Sequence, residues 1–396
     1  MQEITLPNAE QLERIITLMG GDDDLFGVEW NKKTQEFTRT GAARGKDRSF
    51  FDTVYPWVGM RRCILNDDGD VVSYYGDPNY VEDGSIGQVM VQIPRFYYKT
   101  EVIPYGYRWW VSPTSRPGFK LHPAFLDGSK EVAYVYMSAY EGCIYDNTAK
   151  AYLLNDEQTA DFSIDKLSSI AGAKPASGLT QALTIVNSRK LANNRGEGWG
   201  IQDFTTSSAI QLLFLIEYAT FDTQGAIGNG VTNMPSGDEN HAVPTGQTAH
   251  LGNVSGMADG TNGEVSVSYR GIENFWGNIW KWVDGLNIKA DHLPYVATGD
   301  YVSNKYDDNY EYLGEKLPSE NGYVSDILFT PNFDYGFLPS EVKGGSNSGL
   351  YDYHYQSTGN RVARLGGRWR DGLRAGGFCW YLNCSAGDRA RGIGAR

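Results

Sequence analysis

Short runs of apolar and β-branched residues dominate the first 140 residues and predict β-strands. Arg61–Leu65 and Val71–Tyr75 flank an Asp-Gly turn, where glycine accepts the positive φ that a tight hairpin requires. Aromatic and β-branched content predicts further strands at Val89–Ile93, Tyr107–Val111 and Val132–Met137. The pattern therefore predicts a β-rich N-terminal module over residues 1–105, led by a short helix at Glu10–Met19.

Two helices are predicted in the middle of the chain. Apolar residues from Leu179 to Leu191 recur with helical spacing, and this pattern ends at Arg195 and Gly196. The segment Ser207–Phe221 is apolar on nearly all sides, so we expect a buried helix there. A glycine-rich stretch from Gly225 to Gly263 lacks periodicity, which is typical of a functional loop or an insertion. This order of elements favours an α+β fold over alternating βαβ units.

The segment Phe275–Asp284 contains three tryptophans within seven residues. We expect Trp276, Trp280 and Trp282 to be divided between the two faces of this segment. We therefore expect packing on both faces of this segment. The alternative is an aromatic platform that stacks on sugars.

Composition and charge limit the classes of function. The chain has 396 residues, 41% of them hydrophobic and 13% aromatic, which is typical of a globular protein of about two domains. Its formal charge of −13 argues against non-specific binding to nucleic acid or anionic membranes. The sequence shows neither a signal peptide nor an apolar run that could span a bilayer. We therefore expect synthesis in the cytoplasm, no membrane insertion and no nucleic-acid partner.

Familiar catalytic motifs are absent from the sequence. It contains no P-loop, no strand-borne GxGxxG and no HExxH, and none of its five histidines lies four residues from another. Cys379 and Cys384 would suit a soft metal or redox chemistry, but no partner His or Cys lies nearby in sequence, and we favour the interpretation that they are two unrelated cysteines. The sequence therefore predicts no enzymatic activity, no bound metal and no cofactor.

The end of the chain has an unusual composition. From Ser357 to Arg396 there are eight Arg and no Lys, Glu, Gln or Met. With Asp371 and Asp388 this stretch carries eight minus two, or +6, which leaves −19 for the rest of the chain. Two sets of residues alternate within it. The first set, here called the frame residues, is Gly366, Gly367, Trp369, Phe378, Trp380, Arg389 and Arg391. The second set, the interleaved residues, is Arg368, Arg370, Asp371, Arg374, Cys379, Tyr381, Cys384, Ser385, Gly387, Asp388, Ala390 and Gly392.

Three motifs carry a resemblance to a known family: Tyr269–Val283, Leu365–Trp369 and Ile393–Arg396. They resemble the C-type lectin fold of the formylglycine-generating-enzyme type. More narrowly, the chain is similar to the variable proteins of diversity-generating retroelements in phages and gut bacteria. The resemblance implies a C-type lectin-like domain over residues 106–396, with two helices, short antiparallel strands and long loops. It also implies a variable region at 366–396, here called the terminal segment.

In that family a reverse transcriptase randomises adenines in the last codons of the gene. The usual AAC-type codon cannot become a codon for Lys, Glu, Gln, Met or Trp, whereas all twelve interleaved residues can be reached from it. The resemblance therefore implies that the interleaved residues face solvent and bind the ligand, while the frame residues form a fixed scaffold. It also makes Cys379 and Cys384 products of diversification.

The same resemblance implies a phage tail-tip protein of the virion, attached by its N-terminal module to other tail proteins. Its partner would be a host cell-surface protein or glycan, and a homotrimer is expected by analogy with phage fibres. One alternative is a copper-dependent oxidase of the formylglycine-generating type. That enzyme would place its thiols near Asp371 and Gly376, and neither of these is cysteine. A lectin or adhesin of fixed specificity is the other alternative.

Overall fold

The computed structural model describes residues 24–156, 158–236 and 239–396. The predicted helix at Glu10–Met19 lies outside these residues. The α-helices of the described part are α1 Ile185–Asn193, α2 Phe204–Tyr218 and α3 Thr223–Ile227, with 3₁₀ turns at Arg48–Asp52, Trp57–Gly59, Pro123–Phe125, Ala249–Leu251 and Gly372–Arg374. The strands, numbered in chain order, are β1 Phe26–Asn31, β2 Glu36–Gly41, β3 Arg61–Leu65, β4 Val71–Tyr74, β5 Gln88–Pro94, β6 Tyr97–Ile103, β7 Gly106–Ser112, β8 Lys120–Leu121, β9 Leu126–Asp127, β10 Lys130–Glu131, β11 Tyr134–Ser138, β12 Cys143–Asp146, β13 Ala151–Leu153, β14 Lys166–Ser168, β15 Gly256–Met257, β16 Val267–Tyr269, β17 Ile272–Glu273, β18 Trp280–Lys289, β19 Leu293–Val296, β20 Glu311–Tyr312, β21 Gly322–Tyr323, β22 Asp326–Ile327, β23 Pro339–Glu341, β24 Tyr353–Gln356, β25 Arg361–Leu365, β26 Trp380–Cys384 and β27 Ile393–Gly394.

The described chain is mostly β, and the predicted α+β fold, a two-helix C-type lectin-like domain behind an N-terminal module, is wrong. Its strands form several sheets, and many of these strands are only two to four residues long. The first sheet has the order β2-β1-β7-β6-β8, and β7 pairs with both β1 and β6, so this sheet continues past residue 105. One hydrophobic cluster extends from Phe26 in β1 to Leu382 in β26. The bounds 1–105 and 106–396 stay a prediction.

The two predicted helices are present, with different bounds. Helix α2 is buried from Phe204 to Glu217, which confirms the expectation from its apolar sequence. Asp203 caps its first turn by accepting a hydrogen bond from the backbone N–H of Thr206 at 2.8 Å. Helix α2 contacts β1 and β7 of the first sheet and β18 of an eight-stranded sheet, here called the main sheet. It therefore joins the two sheets. No helix of the described residues has the length and apolarity needed to cross a membrane.

A buried carboxylate ties the α2 end to distant parts of the chain. Glu217 is fully buried and accepts hydrogen bonds from Arg270 Nε at 2.7 Å and Arg48 Nε at 3.0 Å. Tyr269 donates its hydroxyl to the same carboxylate at 3.0 Å. Because these partners come from separate regions of the sequence, Glu217 connects the 3₁₀ turn at Arg48–Asp52 to β16 and the turn after it.

The main sheet, of eight strands, includes two strands of the terminal segment, β26 and β27. Its order is β20-β19-β18-β25-β26-β24-β21, and β27 pairs parallel to β18. Trp280 and Trp282 pack on one face with α1, and Trp276 packs in the large cluster with α2. All three tryptophans are at most 1% exposed, and every residue of β18 from Trp280 to Ile288 is buried, so the prediction of packing on both faces is confirmed.

Candidate ligand-binding surface

Two glutamine side chains from outside the terminal segment hold its backbone between residues 372 and 377. Gln224 Nε2, on α3, donates to the carbonyl oxygens of Gly372 and Ala375 at 2.9 and 2.7 Å. Gln211 Nε2, on α2, donates to the carbonyl oxygen of Gly377 at 2.7 Å. These bonds use only backbone atoms of the segment, so they do not depend on which side chains it carries.

A buried aspartate holds the next part of the backbone. The backbone N–H of Phe378 donates to Asp352 Oδ2 at 2.6 Å. Asp352 is buried, and burial raises the pKa of its carboxyl group well above the usual range. A Cβ at Gly376 would lie 2.0 Å from Asp352 Oδ1, so the carboxylate leaves no room for a side chain there.

Two consecutive glycines begin the segment in a conformation that favours glycine. Gly366 and Gly367 have φ angles of +100° and +84°. A Cβ at Gly366 would lie 2.7 Å from the carbonyl oxygen of Phe275, and one at Gly367 would lie 2.4 Å from Ala375 Cβ. The backbone therefore turns here against neighbours that exclude other residues.

Most frame residues are buried. Gly366, Gly367, Trp369, Phe378 and Trp380 are buried, Arg391 is half-buried and Arg389 is exposed. Arg389 donates through Nε to the carbonyl oxygen of Leu179 at 2.7 Å. The scaffold role of these residues stays a prediction, and their placement agrees with it at five of the seven positions.

Most interleaved residues reach solvent. The exposed ones are Arg370, Arg374, Gly387 and Asp388; the half-buried ones are Arg368, Asp371, Tyr381, Ser385 and Ala390; the buried ones are Cys379, Cys384 and Gly392. Nine of the twelve therefore have access to a ligand. The expectation that all twelve face solvent is wrong for the last three. Cys379 and Cys384 pack in the hydrophobic cluster with Trp282, and Gly392 lies beneath Arg368 and Trp369.

Both buried thiols are held in their protonated form. Burial raises the pKa of the Cys384 thiol to about 11 and that of Cys379 well above its usual range. Cys379 Sγ also donates to the carbonyl oxygen of Tyr353 at 3.0 Å. Soft metals and redox partners require the thiolate, which this environment disfavours. Among the described residues, no group of three or more His, Cys, Asp or Glu is placed to hold a metal ion.

A surface cleft of about 260 Å³ brings the two ends of the terminal segment together. We call it the arginine cleft, and its lining is Leu179, Glu239, Arg368, Trp369, Arg370, Ala390, Arg391 and Gly392. The backbone N–H of Trp369 donates to the carbonyl oxygen of Asn278 at 3.0 Å. On the other side, the N–H of Trp280 donates to the carbonyl oxygen of Gly392 at 2.9 Å. Both walls are thus attached to the segment that precedes and forms β18.

Comparison with known proteins identifies no family. No family model matches the chain, and no curated protein matches it. Among solved structures, the chain is similar to one described as Major Tropism Determinant P3c Variant. The identity is 12%, the match covers 85% of this chain and 70% of that chain, and the TM-score is 0.26. A likeness at this TM-score does not establish a shared fold.

Four half-buried tyrosines form a row across three strands beside the interleaved residues. We call this row the tyrosine ladder: Tyr323, Tyr353, Tyr355 and Tyr381. Successive ring centroids along it are 5.0, 4.6 and 4.3 Å apart. The exposed Arg374 lies with its guanidinium 5.2 Å from the Tyr353 ring. Only Tyr381 belongs to the predicted site. The alternation Tyr353-His354-Tyr355, with a buried histidine between two accessible rings, is the signal that could have identified this strand.

A buried arginine lies beneath this surface. The Arg364 guanidinium is 4.1 Å from the ring of Tyr381 and 5.4 and 5.5 Å from those of Trp280 and Trp282. Burial lowers the pKa of Arg364, but guanidinium stays charged at neutral pH. Aromatic faces stabilise this cation. Arg364 therefore adds positive charge beside the Tyr381 ring.

Proposed function

We propose that this protein is a diversified receptor-binding protein of a phage tail tip, which contacts a host-surface molecule through its terminal segment. One observation carries the proposal: nine of the twelve interleaved residues reach solvent on a backbone held by side chains from outside the segment. Such a backbone tolerates changes in the side chains that it displays. The exposed arginines and accessible tyrosines are also the residue types that dominate recognition surfaces.

Location in the virion, attachment to other tail proteins and a homotrimeric state belong to the same proposal. Display in several copies would allow weak individual contacts to suffice. The chemistry of Cys379 and Cys384 speaks against the copper-oxidase alternative, because both thiols are buried and favoured in the protonated form. We therefore propose a binding protein rather than an enzyme.

The binding proposal is tested by substituting exposed residues. Arg370→Ser with Arg374→Ser should reduce binding of the purified protein to host cells at least tenfold. The free energy of unfolding should change by no more than about 0.5 kcal/mol per substitution, because these side chains are exposed. Arg44→Ser, an exposed arginine in the turn after β2, is the matched control. Equal binding by the double variant and this control would contradict the proposal.

The diversification proposal is tested in the neighbouring DNA. A near-copy of the codons for residues 366–396 should lie beside a reverse-transcriptase gene and differ from them only at adenines of the copy. The codons for Gln211, Gln224 and Asp352 should have no such copy. Substitutions between sibling genes that fall evenly over frame and interleaved positions would count against diversification.

A further inference from the structure

The arginine cleft presents an excess of positively charged donors. Its described lining contains the three guanidinium groups of Arg368, Arg370 and Arg391 and one carboxylate, that of Glu239. The Glu239 side chain is 86% exposed, so its charge is well solvated. Asp371 partly offsets Arg368, since Arg368 Nε lies 3.6 Å from Asp371 Oδ1. Guanidinium is a donor without an acceptor, and its fork matches carboxylate and phosphate oxygens.

The rest of the lining is apolar. Leu179 is 50% exposed, and Ala390 and the buried Trp369 complete the wall. A free inorganic anion would use the arginines and leave this wall uncovered. A ligand that carries both an acidic group and a ring with apolar C–H faces would use both. The cleft's volume of about 260 Å³ is close to the lower end of the range of roughly 300–1,000 Å³ for small-molecule sites, so it suits one ring.

The charge distribution along the chain favours a ligand with a single acidic group over a long polyanion. The positive charge from Ser357 onward is +6, against −19 for the remainder. A long polyanion that extended beyond the terminal segment would be repelled by this net negative charge, whereas a single acidic unit would stay beside the three arginines of the cleft. The tyrosine ladder includes one residue of the terminal segment, Tyr381, and offers aromatic rings for neighbouring neutral sugars.

We infer that the arginine cleft binds one carboxylate- or phosphate-bearing sugar unit of a host-surface polysaccharide. This inference rests on the proposed receptor-binding function and names the chemical class of its ligand. The acidic group would pair with Arg368 and Arg370, and the sugar ring would lie against Leu179 and Ala390.

The test is titration of the full chain with D-glucuronate and D-glucose 6-phosphate, followed by calorimetry or ligand-observed NMR. At least one acidic sugar should bind ten times or more tightly than D-glucose, and its affinity should fall with rising salt. Arg370→Ser and Arg368→Ser should each weaken that binding about tenfold, a loss in the range expected for a charge-assisted hydrogen bond. Glu239→Gln should strengthen it severalfold, because a competing charge is removed.

Arg44→Ser is the matched control, since this exposed arginine lies in the turn after β2 and outside the cleft lining. Equal binding of glucose and the acidic sugars would overturn the inference, as would equal losses in Arg44→Ser and Arg370→Ser. Acetate or inorganic phosphate binding as tightly as the sugars would reduce the cleft to a simple anion site and overturn it too. A glutamate-rich peptide that binds where both sugars fail would also do so.

Failure of this inference can be told apart from failure of the proposed function. If the arginine variants lose binding to host cells while no acidic sugar binds the wild type, the receptor-binding role stands and the sugar assignment fails. If acidic sugars bind the cleft but cell binding ignores the same substitutions, the receptor-binding role fails.

Discussion

Two glycines of the terminal segment differ in the space around them. A Cβ at Gly376 would lie 2.0 Å from Asp352 Oδ1, whereas nothing lies within 4 Å of one at Gly387. Gly376→Ala should therefore lower the free energy of unfolding by about 1–3 kcal/mol, as overpacking does. Gly387→Ala should leave it unchanged or raise it by up to about 1 kcal/mol. Urea denaturation measures both, and equal effects would show that the space around the two glycines does not determine their tolerance of a side chain.

His354 should make stability depend on pH. Burial lowers its pKa from 6.5 to about 4, so the folded chain keeps it neutral where the unfolded chain binds a proton. Stability from this group is complete above pH 6.5 and is lost as pH falls towards 4. The free energy of unfolding should lose about 1.4 kcal/mol per pH unit in this window through His354.

Denaturation curves of His354→Gln at several pH values test this prediction. The variant's slope between pH 6 and pH 4.5 should be shallower than that of the wild type by about 1.4 kcal/mol per pH unit. Comparing slopes removes the contributions of other groups and any constant cost of the substitution. His250→Gln, at an exposed histidine, is the control. An equal change of slope in that control would refute the assignment to His354.

At the scale of elements, helix α3 should control the order of residues 372–377. Gln224→Leu removes two hydrogen bonds to this backbone, at a cost of about 1–3 kcal/mol in the free energy of unfolding. Amide hydrogen exchange at 372–377 should accelerate, and binding through the terminal segment should weaken.

Gln158→Leu is the matched control for that experiment. Gln158 is also buried, and it too makes two hydrogen bonds to backbone atoms, those of Ile144 and Lys174. Its loss should cost a similar free energy without changing exchange at 372–377. If both variants changed that exchange equally, the effect would be global and the role of Gln224 would be wrong.

Elements defined by local pattern could be predicted from the sequence, and those defined by distant pairing could not. The apolar run of α2 and the Asp-Gly turn between β3 and β4 contain their own signals, and both are present. Leu179 shows the limit of periodicity: Ala182 adopts a φ of +58° and Thr184 caps α1, so the helix starts after Leu179. Leu179 instead lines the arginine cleft.

The candidate site could be predicted only in part for the same reason. The codon rule that the resemblance implies selects Arg368, Arg370 and Tyr381. It contains no information on side-chain direction, so it also selects the buried Cys379. Tyr355 joins the surface through parallel pairing of β24 with β26, a contact that no local pattern announces. The sequence predicts that the glycine-rich stretch Gly225–Gly263 is a functional loop or an insertion, and its residue Glu239 lines the arginine cleft.

At the scale of the whole molecule, the Glu217 cluster should dominate cooperativity. Glu217→Gln removes the buried charge partner of Arg270 and leaves it only the more exposed Asp52, and breaking a buried pair costs about 3–5 kcal/mol in the free energy of unfolding. Unfolding followed by tryptophan fluorescence and by far-ultraviolet circular dichroism should shift together, because the cluster joins distant parts of one core. The exposed Glu239→Gln should shift neither curve by more than about 0.5 kcal/mol. A shift in only one signal would mean that the two parts unfold independently.

Gln211, Gln224 and Asp352 form hydrogen bonds with the terminal backbone but lie outside the segment that is proposed to vary. The codons of these three residues lie outside 366–396, so the proposed diversification of the terminal segment would leave the side chains that hold its backbone unchanged. Under the proposed diversification, each variant would keep the same backbone support and differ only in the side chains that it displays. A laboratory library randomised at 370, 374, 387 and 388 would inherit the same advantage, since most of its members would fold before any selection for binding began.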